Sequence, residues 1–158
     1  MSAILDTPHL VEKCGEAEKD EIRLIFRLDT IVNRVTNQKI LSALGISFSH
    51  GRALLHLARS PGVSCGELAQ LLGCGTSRIS RLIQELETRQ LVECRRGGTD
   101  RRVLRVSLTP NGAALACRVP AVFRDAELTT FSVLPDDNCQ RLIKLLSRMV
   151  SNLNRLGE

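Results

Sequence analysis

A mainly α-helical fold with one small β-hairpin is predicted by three observations. Apolar residues recur at helical spacing along most of the 158-residue chain. Only between residues 91 and 108 does the period fall to two, in a pair of runs separated by turn residues. The net charge of +5 is also unevenly placed: residues 45–112 hold ten arginines, five acidic residues and no lysine, while the flanks hold twelve of each sign. These observations imply a long helix on each side of an arginine-rich middle. The length suits one folding unit, and a 43% hydrophobic content excludes a disordered chain.

Residues 1–14 contain Pro8 and no sustained period. From Gly15 or Glu16 to about Leu44 the pattern is helical, with Ile22, Ile25, Leu28, Ile31 or Val32, and Val35 on one stripe. Such a helix is longer than a small domain needs and reads as a dimerisation arm. Gly45-Ile46-Ser47 ends it, and Ser47 caps a second helix whose expected buried face is Ala53, Leu54, Leu57 and Ala58. Ser60-Pro61-Gly62 is a turn.

Ser64-Cys65-Gly66-Glu67 has the S-x-x-E form of a capping box, so a short helix starts there and stops at Gly73. Gly73-Cys74-Gly75 offers two residues free to take positive φ. The helix over residues 76–89 follows, burying Ile79, Leu82, Ile83 and Leu86 and turning Ser77, Arg78, Ser80, Arg81 and Gln84 outward. A major groove about 12 Å wide admits such a helix, and these side chains bond base edges and phosphates. Alone, it would read better as a solvated amphipathic helix. It is followed, however, by strands over residues 91–96 and 102–108, joined through Gly97-Gly98-Thr99-Asp100-Arg101 into a hairpin with a basic tip. Helix, turn, cationic helix and basic hairpin together describe a winged helix-turn-helix.

Thr109 caps the next helix, with Pro110 at its first position and Leu115, Ala116, Val119 and Val122 behind it. Pro120 lies inside that pattern and is expected to kink the helix. Leu134-Pro135-Asp136-Asp137 breaks the pattern and starts a last helix, acidic at its amino end in accord with the helix dipole. Leu142, Ile143, Leu145, Leu146, Met149, Val150, Leu153 and Leu156 cover too wide an arc of it for burial within one chain. The simplest cover is a second copy, first and last helices interleaving. The expected division is 1–44 as arm and dimerisation helix, 45–112 as DNA-binding domain and 113–158 as further dimerisation helices.

Glu67-Leu68-Ala69, Arg81-Leu82, Leu86-Glu87, Leu91-Val92 and Asp100-Arg101-Arg102, followed by Val106-Ser107-Leu108-Thr109-x-x-Gly112, closely resemble the MarR family of bacterial transcription regulators. The resemblance implies a homodimer on double-stranded DNA, with the cationic helix in the major groove. It also implies that Arg102 enters the minor groove, braced by Asp100, a role that charge-assisted bonds make physically sensible. An ordinary surface ion pair is the alternative for these two residues. The full set expected at DNA is Thr76, Ser77, Arg78, Ser80, Arg81, Gln84, Arg95, Arg96, Asp100, Arg101 and Arg102. The chain departs from the family at Gly75, where a capping side chain is usual, at Gln90, where a helix-ending glycine is usual, and at Thr76, which replaces a common basic residue.

Many members of the family release DNA on binding a small phenolic or other aromatic anion. The expected contacts here are Arg27, Arg34, His50 and Arg52, with Gly51 leaving room for a ligand beside His50. Repression relieved by such a ligand, from an inverted-repeat operator, is therefore the expected activity. Oxidation of Cys14 is the alternative trigger, although no tyrosine supports that thiol and Lys13 is the only nearby cation. The six cysteines form no C-x-x-C or cysteine-histidine cluster, so neither metal nor cofactor is expected. No catalytic motif appears, and a protein-binding winged helix is contradicted by the arginine group. Aromatic residues make up only 3% of the chain, which favours duplex DNA over stacked single strands. The absence of a long apolar run points to a cytoplasmic protein without membrane contact.

Overall fold

The computed structural model describes residues 21–96 and 104–156. In chain order these form α1 (Glu21–Leu44), α2 (Phe48–Arg59), β1 (Val63–Ser64), α3 (Cys65–Leu72), α4 (Thr76–Thr88), β2 (Val92–Arg96), β3 (Leu104–Leu108), α5 (Pro110–Ala116), α6 (Val119–Phe131) and α7 (Asp136–Leu156). The sheet is antiparallel with order β1-β3-β2; Val63 pairs with Val106, and Val106 with Cys94.

Local chemistry sets most of the helix ends. At Ser47 and at Ser64 the serine hydroxyl accepts from a backbone N–H three residues on, and the side chain of that residue, His50 or Glu67, accepts from the serine's own N–H. Hydrogen bonds from Ser64 hold the Glu67 carboxyl below its ordinary range. Gly73 ends α3 in the left-handed conformation at φ 65°. Gly75 does not share it: its φ is −68°, so one glycine of the turn suffices, and α4 starts without a side-chain cap. Gln90 takes the left-handed position at φ 57° after α4, where the sequence lacks a glycine.

The core joins the three helices α2, α3 and α4 to the sheet through Leu54, Leu57, Leu68, Ile79, Leu86 and Val106, all fully buried. Ala58 is exposed and does not belong to the buried face of α2, because that face narrows toward the helix end at Ser60. The α1 helix contributes Ile40 and Thr36 to the interior, and the N–H of Phe48 donates to Asn37 Oδ1 at 2.9 Å, joining α1 to the start of α2. α1 also packs against α6, where Lys39 pairs with Asp125.

One expected helix is two. α5 ends at Ala116, Cys117 and Arg118 form a turn, and Pro120 lies in the first turn of α6, where its missing N–H is not needed. Proline therefore starts a helix here and kinks none. The last helix, α7, opens on Asp136 and Asp137 and buries no described residue. Ile143, Leu145, Met149, Val150 and Leu153 lie 46–62% exposed along it, and Ile22, Leu24, Phe26 and Leu28 lie 53–68% exposed on α1.

Candidate nucleic-acid interface and adjoining cavity

The face of α4 opposite Ile79, Leu82, Ile83 and Leu86 is solvent-exposed and carries Thr76, Ser77, Arg78, Ser80, Arg81 and Gln84 together. These side chains share one surface because the 3.6-residue period places the four apolar ones inward. The Ser80 hydroxyl donates to Thr76 O at 3.0 Å, so toward a ligand it offers only its acceptor lone pairs. Arg95 and Arg96 extend from the exposed end of β2, Arg95 within 3.0 Å of Glu93, which compensates part of its charge. Asp100, Arg101 and Arg102 lie outside the described residues, as does Cys14. Two further arginines of the basic segment are structural: Arg89 donates to Gly45 O at 2.7 Å and Arg105 to Gly62 O at 2.8 Å.

A groove of about 510 Å³ runs between the start of α2 and this face, lined by Ser47, Ser49, His50, Ser77, Arg78, Arg81, Leu82 and Glu85. His50 faces it but is not a free ligand. Its Nδ1 accepts from Ser47, at 2.8 Å from the hydroxyl oxygen, which leaves the proton on Nε2. Nε2 is 3.0 Å from Glu85 Oε2 but poorly aligned for a hydrogen bond, so the contact becomes an ion pair only when His50 is protonated. Burial lowers the His50 pKa from 6.5; Glu85 partly opposes this and Arg89 adds to it. Nor does Gly51 leave room for a ligand. A Cβ there would lie 2.7 Å from Ile40 Cδ1 and 3.4 Å from Val119 Cγ1, so the missing side chain admits α1 and α6.

A second cavity, of about 430 Å³, lies behind α4. Asp29 and Asn33 of α1, Phe48, Ser49 and Arg52 of α2, Leu72, Gly73 and Cys74 at the turn, and Arg78 and Leu82 of α4 line it. The Arg52 guanidinium sits 5.9 Å from the centroid of the Phe48 ring. Of the four residues expected at a ligand, Arg52 lines this cavity and His50 the groove, while Arg27 and Arg34 are exposed on α1 and line neither. Asp29 and Asn33 escaped the sequence reading; their i, i+4 spacing was the available signal.

Cys94 and Cys65 are poor thiolate sources. Burial, the nearby Glu87 carboxylate and the neighbouring Cys65 push Cys94 up to about 11, and burial raises Cys65 as well. No group of three or more histidine, cysteine or acidic side chains suited to a metal occurs among the described residues, and none of their helices is long and apolar enough to cross a membrane.

A sequence profile of the MarR family matches residues 44–103, the segment running from the end of α1 through α4 to the wing. Over these residues the chain is similar to the MarR family. Its arrangement is thus that of a MarR-family winged-helix transcription regulator that binds DNA. It is 26% identical over 140 residues to the uncharacterized HTH-type transcriptional regulator YdgJ of Bacillus subtilis, covering 87% of this chain and 83% of that one. The apo structure of MarR from E. coli superposes with a TM-score of 0.74 at 25% identity, covering 82% of this chain and 96% of that one. The MarR-family protein Rv2887 of Mycobacterium tuberculosis, solved with p-aminosalicylic acid, superposes with a TM-score of 0.67 at 25% identity, covering 82% and 97%. These MarR-family relatives are regulators and not enzymes.

Proposed function

We propose that this chain is a homodimeric repressor that sets α4 in the major groove of an inverted-repeat operator. A small aromatic or phenolic acid entering the cavity between α1, α2 and α4 releases it. The observation that carries this reading is the position of Arg78, which lines both the groove beside the DNA-facing surface and the cavity behind it. An anion paired with Arg78 and Arg52 from behind competes with phosphate or base for the same guanidinium. The similar protein Rv2887 binds such an acid, which supports the ligand class.

Residues 45–112 act as the DNA-binding unit in this reading, with 1–44 and 113–158 joining two copies. The exposed apolar rows of α1 and α7 support dimerisation, since a surface this apolar is stable in water only when covered. Twofold symmetry then places two α4 helices about 34 Å apart, one turn of duplex. At the DNA, Ser77, Arg78, Arg81 and Gln84 read base edges or phosphates. Arg95, Arg96 and the wing-tip residues Asp100, Arg101 and Arg102 meet the backbone and minor groove.

Fluorescence anisotropy on the upstream intergenic duplex tests the reading, with salicylate-type acids in one series and peroxide followed by reductant in another. Release by an acid that also occurs in a cysteine-free variant supports the cavity. Release by peroxide alone, reversed by reductant and lost on Cys14→Ser, transfers the trigger to the thiol.

A further inference from the structure

The cavity behind α4 has chemically unlike walls. Cationic groups come from the winged-domain side, at Arg52 and Arg78, and apolar surface comes from Phe48, Leu72 and Leu82. The α1 wall is different: it presents Asp29 and Asn33. Asn33 Nδ2 donates to Asp29 Oδ1 at 2.8 Å, which fixes the carboxylate and leaves Asp29 Oδ2 and Asn33 Oδ1 as acceptors. An ionised carboxylate offers only acceptor sites. Among the described residues no ion pair joins Asp29 to Arg52 or Arg78, so neither guanidinium is in contact with the carboxylate.

We infer that this cavity selects an aromatic acid carrying a hydrogen-bond donor or cationic nitrogen on the ring edge opposite its acid group, and that Asp29 reads that donor. The inference rests on the effector reading above and specifies its ligand. The acid pairs with Arg52 and Arg78, and the ring lies against Phe48, Leu72 and Leu82. This sets the far edge of the ring toward α1. A methyl group or an oxygen acceptor at that edge strips water from Asp29 without replacing its bonds, whereas an N–H or O–H supplies a charge-assisted one. The volume of about 430 Å³ lies within the roughly 300–1,000 Å³ range of small-molecule sites. Asp29 is exposed at its solvent side, so a charged amine reaches it without complete dehydration.

Calorimetric titration of the full chain with 4-methylbenzoate, 4-aminobenzoate and 4-(aminomethyl)benzoate tests this, in the parent and in Asp29→Leu, Asp29→Asn and Arg52→Ala. The two amines are expected to bind the parent at least tenfold more tightly than the methyl compound. Asp29→Leu is expected to abolish that preference while retaining 4-methylbenzoate binding. The isosteric Asp29→Asn should lose chiefly the advantage of the cationic amine, and Arg52→Ala should weaken all three acids alike. Equal affinity for the methyl and amino compounds in the parent, or a preference that survives Asp29→Leu, overturns the role of Asp29. Binding of no acid, or binding indifferent to Arg52→Ala, overturns the effector reading and this inference with it.

Discussion

The His50 imidazole on α2 stands 3.0 Å from the Glu85 carboxylate on α4, so the helix that supports the DNA-facing surface is joined to it by a titratable contact. Burial keeps His50 below 6.5 in the folded chain, and burial with Arg52 and Arg59 does the same for His56. Each base therefore binds fewer protons folded than unfolded as pH falls through 6.5, and stability declines there until the folded pKa is passed. The thermal midpoint should fall from about pH 7 to about pH 5. His50→Gln should flatten that fall; parallel curves for parent and variant would remove His50 as its source.

Gly112 allows no side chain. A Cβ there would lie 1.8 Å from Leu91 O, at the point where the Thr109 N–H also donates to that carbonyl. Overpacking typically costs ~1–3 kcal/mol, and a backbone obstacle places Gly112→Ala at or above the upper end. A thermal midpoint lower by roughly 6 °C or more is expected at ~2–4 °C per kcal/mol. A change within error would mean that α5 moves freely against the end of α4.

Gln90 pays for the opposite condition, holding φ at 57° without being glycine. Because Thr109 Oγ1 donates to the Gln90 backbone carbonyl at 2.7 Å, a glycine there keeps the bond and removes the steric cost. Gln90→Gly is expected to stabilise by ~0.5–1 kcal/mol in denaturant unfolding, the left-handed gain exceeding the added unfolded-state entropy. A lower midpoint would show that side-chain packing at Gln90 outweighs its backbone strain.

Arg96 and Arg78 should separate affinity from specificity. Arg96→Ala removes a charge at the exposed end of β2 and should weaken every duplex similarly, lowering the salt slope by about one. Arg78→Ala should instead alter the ranking of operator variants, by ~1–3 kcal/mol at the base it meets. Competition binding over a small operator library distinguishes the two, and identical rankings for both variants would refute the assignment of Arg78 to base readout.

The apolar row on α7 gives a prediction about assembly. Leu153 is 62% exposed in the single chain. Leu153→Asp should lower the light-scattering mass at micromolar concentration toward that of one 17.4 kDa chain and weaken operator binding in parallel. A parent that is itself monomeric would refute the dimer.

Elements defined by local chemistry were legible in the sequence. The Ser64-Glu67 box, the Gly73 stop, the four inward residues of α4 and the strained Gln90 all follow from interactions within a few residues of chain. So did the basic face, because a helix that buries Ile79, Leu82, Ile83 and Leu86 must turn Arg78 and Arg81 outward. Spacing alone misassigned Pro120, since a proline within a helical pattern and a proline starting a new helix look alike until the Cys117 turn is seen.

What only the tertiary structure decided was where helices distant in sequence meet. Gly51 reads locally as open space, but Ile40 and Val119 fill it from α1 and α6. His50 reads as a free ligand, but Ser47 bonds its Nδ1 and the Glu85 carboxylate stands 3.0 Å from its Nε2. Arg52, Arg78 and Asp29 come from three separate helices, and their common cavity depends on interhelical packing that no local period encodes. Periodicity determines which face of a helix is buried; packing determines what that face, and its polar neighbours, will meet.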